Sequence, residues 1–494
     1  MKKEEKKQLQ NQKVKEAKKA GKTKKAHTDW EFSVVKYVFV LLFLALVAHF
    51  VNFQMNESEE FINNDYNSRE ELFAKRVVRG DIISADGQVL AETVINADGI
   101  EKRNYPFSNL FAHVVGYATN GKAGIEKLAN FYLLKSHVSA EEKVEVELAE
   151  QKYKGDNVIT TLNYKLQQVA YDGLSWYEGA VVVLEPSTGK ILAMVSKPNF
   201  DPNLVEEEWE YLVSEENTST VLLNRATQGL YPPGSTFKIV TTLAHIRQNM
   251  ENSTYAYVCT GKLLAGGSII HCYKNKSHGT VDLEESFAES CNASYANIGL
   301  NLEKTLFQNV CDSLLFNKDL PTKFPYSKSS FVLNEEDDEA VVMQNAIGQG
   351  TTLVTPFHMA LITSAIANNG VLMNPYVIDR IESHTGEVVK SYVPSEYGAL
   401  LTVEETTELQ GYMEAVVDYG TGTKLQSKNY DAYGKTGSAE FSAKAEHCHS
   451  WFVGYAHAEG KNDIAIAVLV EEAGSGSTVA VPIAKKIFDA YYSE

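Results

Sequence analysis

Between residues 34 and 53 the chain carries an apolar run interrupted only by Lys36, His49 and Asn52, and this run constrains the rest more than any other segment. About 20 residues at about 1.5 Å rise cross the roughly 30 Å hydrocarbon core of a bilayer. A buried core helix and a cleaved signal peptide are the alternatives. Against cleavage, the preceding basic stretch is long and Gln54-Met55-Asn56 offers no A-x-A-like site. The run is therefore read as an uncleaved anchor over residues 32–53. Eleven lysines precede it, so the positive-inside rule places residues 1–31 in the cytoplasm and everything after residue 53 outside.

That division changes the meaning of the charge. The formal net charge is −18, but residues 1–53 hold +7, which leaves −25 on the exported part. Such a surface repels nucleic acid, and no nucleic-acid partner is expected. Through Lys25 the tail is Lys- and Gln-rich with almost no large apolar residue, so it is expected to be disordered or transiently helical. With 494 residues, 44% hydrophobic and 22% charged, the remainder has room for two or three globular domains.

After a polar stretch with Asn63-Asn64-Asp65, Arg79-Gly80-Asp81-Ile82 through Asp86-Gly87 to Leu90 reads as two short strands around a D-G turn. Residues 54–155 form a small accessory domain in this reading. From Asp156 the pattern tightens. Ala180-Val181-Val182-Val183-Leu184 and Lys190-Ile191-Leu192-Ala193-Met194-Val195 flank a turn at Glu185-Pro186-Ser187-Thr188-Gly189, a hairpin of buried strands. A helix is expected from Ser235 after Pro232-Pro233-Gly234, and another from an N-cap at Thr355 with Pro356 at N1, closing at Asn369-Gly370. Helix over about 403–417, strands at Lys435, 450–456 and 464–470, and a last helix ending near Tyr492 complete an α+β pattern: an antiparallel sheet with helices on its faces.

Three short motifs fall in the order a serine acyltransferase needs: Ser235-Thr236-Phe237-Lys238, Ser290-Cys291-Asn292 and Lys435-Thr436-Gly437. A serine hydroxyl is a poor nucleophile without a base, and on the first turn of a helix Ser235 and Lys238 share a face. The helix N-terminus also offers N–H groups to a developing oxyanion. Lys435 and Thr436 at the head of a strand suit a substrate carboxylate, and Gly437 would let a substrate backbone approach closely. Two decoys test the matches. Ser187-Thr188-Gly189-Lys190 also fits S-x-x-K but sits in a hairpin turn, where side chains do not stack. Ser427-Lys428-Asn429 also fits S-x-N but lies six residues before Lys435, on the approach to the same strand. The five cysteines permit one bridge outside the membrane, with Cys259 and Cys272 the expected pair around Gly261, Gly266 and Gly267. A metal site drawn from His271, Cys272, His278 or His447-Cys448-His449 lacks a familiar zinc spacing, and no metal or cofactor is expected. The acidic run at 335–339 lacks the glycine and spacing of a calcium loop and reads as a solvated loop.

The chain resembles the penicillin-binding proteins beyond these tripeptides. Tyr231-Pro232-Pro233-Gly234-Ser235-Thr236-Phe237-Lys238 is similar to the family's nucleophile segment, and 185–194 to its first hairpin. Ile347-Gly348-Gln349-Gly350, Thr355-Pro356 and Gly420-Thr421-Gly422-Thr423 fall in the expected order, while Arg79-Gly80-Asp81-Ile82 resembles the entry segment of class B members. The resemblance implies a transpeptidase domain over 156–494 with a five-stranded antiparallel sheet between helices. It implies Ser235 as acylated nucleophile, Lys238 as its base, Ser290 and Asn292 relaying protons and holding substrate, and Lys435, Thr436 and Gly437 binding the substrate carboxylate and shaping the cleft. The oxyanion hole would use the N–H groups of Ser235 and Ser438. The implied reaction is D,D-transpeptidation of peptidoglycan stem peptides with loss of terminal D-Ala, and β-lactam antibiotics would acylate the same serine. No room remains for a glycosyltransferase domain, so the likeness is to smaller monofunctional class B members, which work with a SEDS-family glycosyltransferase in the membrane. A D,D-carboxypeptidase or β-lactamase-like hydrolase, and a non-enzymatic β-lactam sensor, are the competing readings.

Overall fold

The computed structural model describes residues 2–56, 69–249, 254–440 and 448–493. Asn63-Asn64-Asp65 and His447 lie outside the described residues. The chain divides into two units, residues 1–67 and 68–494.

The described part of the first unit is the helix Lys2–Asn56, in which Trp30–Gln54 has a mean hydropathy of 2.4 and no part of its apolar window buried by protein. One helix long and apolar enough to cross a membrane is thus present, somewhat longer than the expected 32–53. The basic tail, expected to be disordered or transiently helical, continues that helix. Lys, Gln, Glu and Ala are strong helix formers, and an already formed apolar helix removes the cost of nucleating them.

In the second unit a five-stranded antiparallel sheet runs in the order Asp431–Glu440, Cys448–His457, Ile464–Val470, Gly179–Glu185, Lys190–Lys197. All residues of Ile464–Val470 and Gly179–Glu185 are buried, as in a sheet covered on both faces. Period-two alternation splits them between two cores. Ala180, Val182 and Leu184 pack with Phe357, Met359 and Leu361, while Val181 and Val183 pack with Leu166, Ile483 and Phe488. Burying side chains of this size contributes about 1.5–3 kcal/mol each. The first core is closed by the helix Pro356–Ala367, apolar all round but too short to span a bilayer. Its start matches the expectation: Thr355 accepts a hydrogen bond from the His358 N–H (3.1 Å), with Pro356 at the first position. Tyr164–Leu174 and Ala480–Tyr492 cover the other face.

A six-stranded sheet, in the order Val388–Ser391, Ile378–Glu382, Asn157–Thr160, Ile82–Ile83, Val89–Ile95, Glu101–Asn104, contains the expected D-G hairpin, with Gly87 at φ +83°. This sheet crosses the expected boundary at 155/156. Asn157–Thr160 pairs in parallel with Ile82–Ile83 and antiparallel with Ile378–Glu382, so strands from both sides share one ladder. Its helical flank is tied by a buried carboxylate: Arg79 Nε and Arg103 Nε each donate to Glu126 at 2.7 Å. Burial alone would raise the Glu126 carboxyl, but the two guanidinium groups outweigh it and hold the group below its usual range.

Candidate active site

Ser235 lies in the 3₁₀ turn Gly234–Phe237, which runs directly into the helix Lys238–Gln248. Gly234 has φ +53° and donates its N–H to Gly348 O (2.9 Å). A Cβ on Gly348 would stand 2.2 Å from Gly234 O, so the two glycines permit this contact between distant segments. Trp451 Nε1 donates to Pro232 O (3.0 Å) and pins the approach to the turn. Ser235 is half-buried, and Lys238, one turn on, is fully buried.

Lys238 Nζ donates to Ser290 O (2.8 Å), Ser290 Oγ (3.1 Å) and Asn292 Oδ1 (2.7 Å), and sits 5.1 Å from the centre of the Tyr295 ring. An ammonium has three N–H groups, and all three find an acceptor. Burial nonetheless lowers Lys238 to about 8, outweighing the opposing contribution from Cys291 and Cys272. The amine is therefore a usable base near neutral pH. Ser290 occupies the expected loop between two helices, Leu283–Ala288 and Asn292–Asn301, at φ +57°. Asn292 completes a bridge by donating its Nδ2 to His271 O (3.0 Å).

Lys435 does not head a strand. It is the fifth residue of Asp431–Glu440, paired with Val453, because the ladder to Cys448–His457 is continuous over ten residue pairs. Lys435 is fully buried, donates to Thr436 O (3.3 Å) and lies 5.4 Å from the Phe287 ring centre. Burial first and the neighbouring Lys238 second push it well below the usual lysine range. Thr436 Oγ1 is 2.6 Å from Thr421 Oγ1, and the Thr421 N–H donates to Ala288 O (3.1 Å), which ties the strand to the Ser290 loop. Gly437 has a packing role beside the one its motif suggested. A Cβ there would meet Thr236 Cγ2 at 2.9 Å, Pro233 O at 3.0 Å and Trp451 Cβ at 3.0 Å, so it is the protein's own nucleophile turn that approaches closely. Ser438 faces the same turn: a Cβ on Gly234 would lie 3.0 Å from Ser438 O. Ser438 Oγ accepts the Gly476 N–H (3.2 Å), a contact the Gly474-Ser475-Gly476 run could have signalled.

The decoys stay apart from this cluster. Lys190 pairs with Asp379 (3.6 Å), and Ser427 caps the Asn429 N–H (3.2 Å) on the exposed approach to the strand. The acidic run supplies caps rather than a cation loop: Asp338 accepts from the Val341 N–H (3.0 Å) and Glu335 Oε1 from Thr305 (2.6 Å). Cys259 and Cys272 are neighbours as expected but are not bonded. Their sulfurs are 3.6 Å apart with no disulfide between them, and Cys291 and His278 share the same pocket. Of the metal candidates, Cys272 and His278 come together, whereas the His271 side chain is exposed and His449 packs edge-on against Tyr231.

The model of the penicillin binding protein transpeptidase domain matches residues 179–489, and that of the penicillin binding protein A dimerisation domain matches 79–158. The peptidoglycan D,D-transpeptidase PbpA of Mycolicibacterium smegmatis is 30% identical over 445 residues, covering 83% of this chain and 89% of that protein. Among solved structures, the D,D-transpeptidase domain of a peptidoglycan glycosyltransferase from Eggerthella lenta superposes with a TM-score of 0.75 at 29% identity, covering 84% of this chain and 98% of that one. Penicillin-binding protein A of M. tuberculosis, as an imipenem acyl-enzyme complex, gives 0.74 at 28% identity over the same shares.

Proposed function

Since the chain belongs to the penicillin-binding protein transpeptidase family, as a class B member, we propose that it cross-links peptidoglycan through an acyl-enzyme on Ser235. Its activity is peptidoglycan D,D-transpeptidation, and β-lactams are taken by the same site. The observation that carries the residue assignment is Lys238 Nζ bonded to both Ser290 and Asn292 one turn from Ser235. In the first half-reaction Ser235 Oγ attacks the carbonyl carbon of the penultimate D-Ala, and its proton passes to neutral Lys238. The tetrahedral intermediate collapses with cleavage of the C–N bond. The proton returns, by way of the Ser290 hydroxyl, to the departing D-Ala amine. An amine from a second stem then attacks the ester carbonyl, forms the new amide and restores the serine.

The N–H groups of Ser235 and Ser438 are assigned to the oxyanion, a reading supported by the closeness of the Ser235 turn to Ser438. Lys435 and Thr436 are assigned to the substrate carboxylate, with Gly437 setting the spacing of strand and turn. Burial disfavours charge on Lys435, so an arriving carboxylate supplies the counter-charge that lets it hold its proton. Residues 32–53 are assigned as the single-pass anchor, with residues 1–31 cytoplasmic, 54–155 as a pedestal and 156–494 as the catalytic domain. The lysine-rich tail supports that orientation. A SEDS-family glycosyltransferase is the partner this arrangement suits.

The test uses the full-length protein in detergent, wild type beside Ser235→Ala, with labelled penicillin. A long-lived adduct on the wild type alone is expected. A wild type that takes no label, or label that survives the substitution, would overturn the assignment, and rapid loss of label to water would indicate a hydrolase.

A further inference from the structure

We propose that Cys259, Cys272, His278 and Cys291 bind one zinc ion, which fixes the Ser290–Asn292 loop from behind. The four donor atoms all lie within 4.8 Å of one another. Cys259 Sγ and Cys272 Sγ are 3.6 Å apart, Cys272 Sγ and Cys291 Sγ 3.7 Å, and Cys259 Sγ and His278 Nδ1 3.4 Å. With Zn–S near 2.3 Å and Zn–N near 2.0–2.1 Å, the edges of a tetrahedron are about 3.8 Å between sulfurs and about 3.6 Å between sulfur and nitrogen. Three of the six donor–donor edges therefore match a tetrahedral S₃N site and the rest lie within 4.8 Å, and this donor set favours zinc.

Two further observations point to a metal. Each sulfur receives a backbone N–H: Gly261 to Cys259 (3.3 Å), Ala293 to Cys272 (3.4 Å) and Ser294 to Cys291 (3.4 Å). Such donors stabilise thiolates and orient metal ligands. A disulfide would use two of the sulfurs and leave the third, with its donor, unsatisfied. The surrounding segment adds little to the main core, chiefly Ile270, with Leu263 and Ala265 partly buried against it. It consists of two two-stranded ribbons, Tyr257–Cys259 with Gly279–Val281 and Lys262–Ala265 with Ser268–His271. Its buried cluster is Cys259, Cys272, Cys291 and Ala293, while Val258, Leu264 and Tyr273 are exposed. Two-stranded ribbons alone are marginal in water; these rest on the helix Asn292–Asn301, and a metal staple would tie them to its start.

Binding is ligand exchange without redox change. Three thiols release their protons, the neutral imidazole donates through Nδ1, and four protein ligands leave no open position for substrate. The role is structural. Cys291 stands between Ser290 and Asn292, and Asn292 also bonds His271 O, next to Cys272. The metal thereby fixes both groups that hold the Lys238 amine.

The test is the metal content of full-length protein purified without chelator. About one zinc per chain is expected, together with the visible absorption of tetrahedral thiolate-bound cobalt after exchange. His278→Cys should keep the metal, and Cys259→Ser with His278→Ala should lose it. Stripping zinc should slow penicillin acylation, and zinc but not magnesium should restore it. Metal-free protein whose thiols all react freely, or a Cys259–Cys272 disulfide found by mass spectrometry, would overturn the proposal. Metal content is read without penicillin, so it stands or falls separately from the assigned activity.

Discussion

Raising the pH from 8 to 10 should accelerate acylation of Ser235 by only about twofold, whereas lowering it from 8 to 6 should slow it about fiftyfold. The base is the neutral form of Lys238, which burial lowers from 10.5 to about 8. At pH 8 about half of it is then neutral and at pH 6 about 1%. An unperturbed lysine would instead be about 0.3% neutral at pH 8, and its reaction would climb about 75-fold by pH 10. The same shift makes about 300 times more free base available at pH 7, equivalent to about 3.4 kcal/mol. The assay is the first-order acylation constant at saturating labelled penicillin, by rapid quench and intact-protein mass spectrometry. Saturation separates this limb from Lys435, whose loss of charge as the pH rises through its lowered pKa weakens carboxylate binding and enters the apparent affinity. A rate that is flat between pH 6 and 8, or that still rises tenfold per unit up to pH 10, would refute Lys238 as the base in this environment.

Gly437→Ala should leave the protein folded but reduce acylation at least about tenfold, since a Cβ 2.9–3.0 Å from Thr236 and Pro233 pushes the nucleophile turn off the strand and misplaces Ser235. Labelling rates beside a circular dichroism spectrum check it, and unchanged labelling would contradict the packing role. Glu126→Gln removes the buried charge that neutralises Arg79 and Arg103, and should cost about 3–5 kcal/mol in chemical denaturation with the mature catalytic rate unchanged in the protein that remains folded.

Features carried by neighbouring residues were readable directly. The helix long and apolar enough to cross a membrane follows from length and apolarity, the Thr355-Pro356 cap from a local hydrogen bond, and the hairpin around Gly189 from its turn residues. The order of the three motifs and the rejection of both decoys also rest on local geometry. The sequence left open whatever depends on separated segments meeting. Lys435 was placed at a strand head because its flanking residues look like a strand start, but its burial and its nearness to Lys238 follow from packing against Phe287 and pairing with Val453. Nothing in the chain reveals that Pro233 and Thr236 fold back onto Gly437. A boundary at 155/156 is visible in composition, yet the ladder from Ile82–Ile83 through Asn157–Thr160 to Ile378–Glu382 crosses it.

The sharpest contrast is between the long apolar helix and the cysteine cluster. Periodicity and hydropathy determine the first, because a bilayer acts on each residue by its own transfer free energy. The second depends on four positions spread from 259 to 291, none at a familiar ligand spacing, and only the tertiary structure brings three sulfurs and an imidazole within 4.8 Å. Chain sequence specifies local conformation strongly because its interactions are short-ranged. Lowered lysine pKa values and shared ligand sets are properties of distance and desolvation, which exist only once the chain has closed on itself.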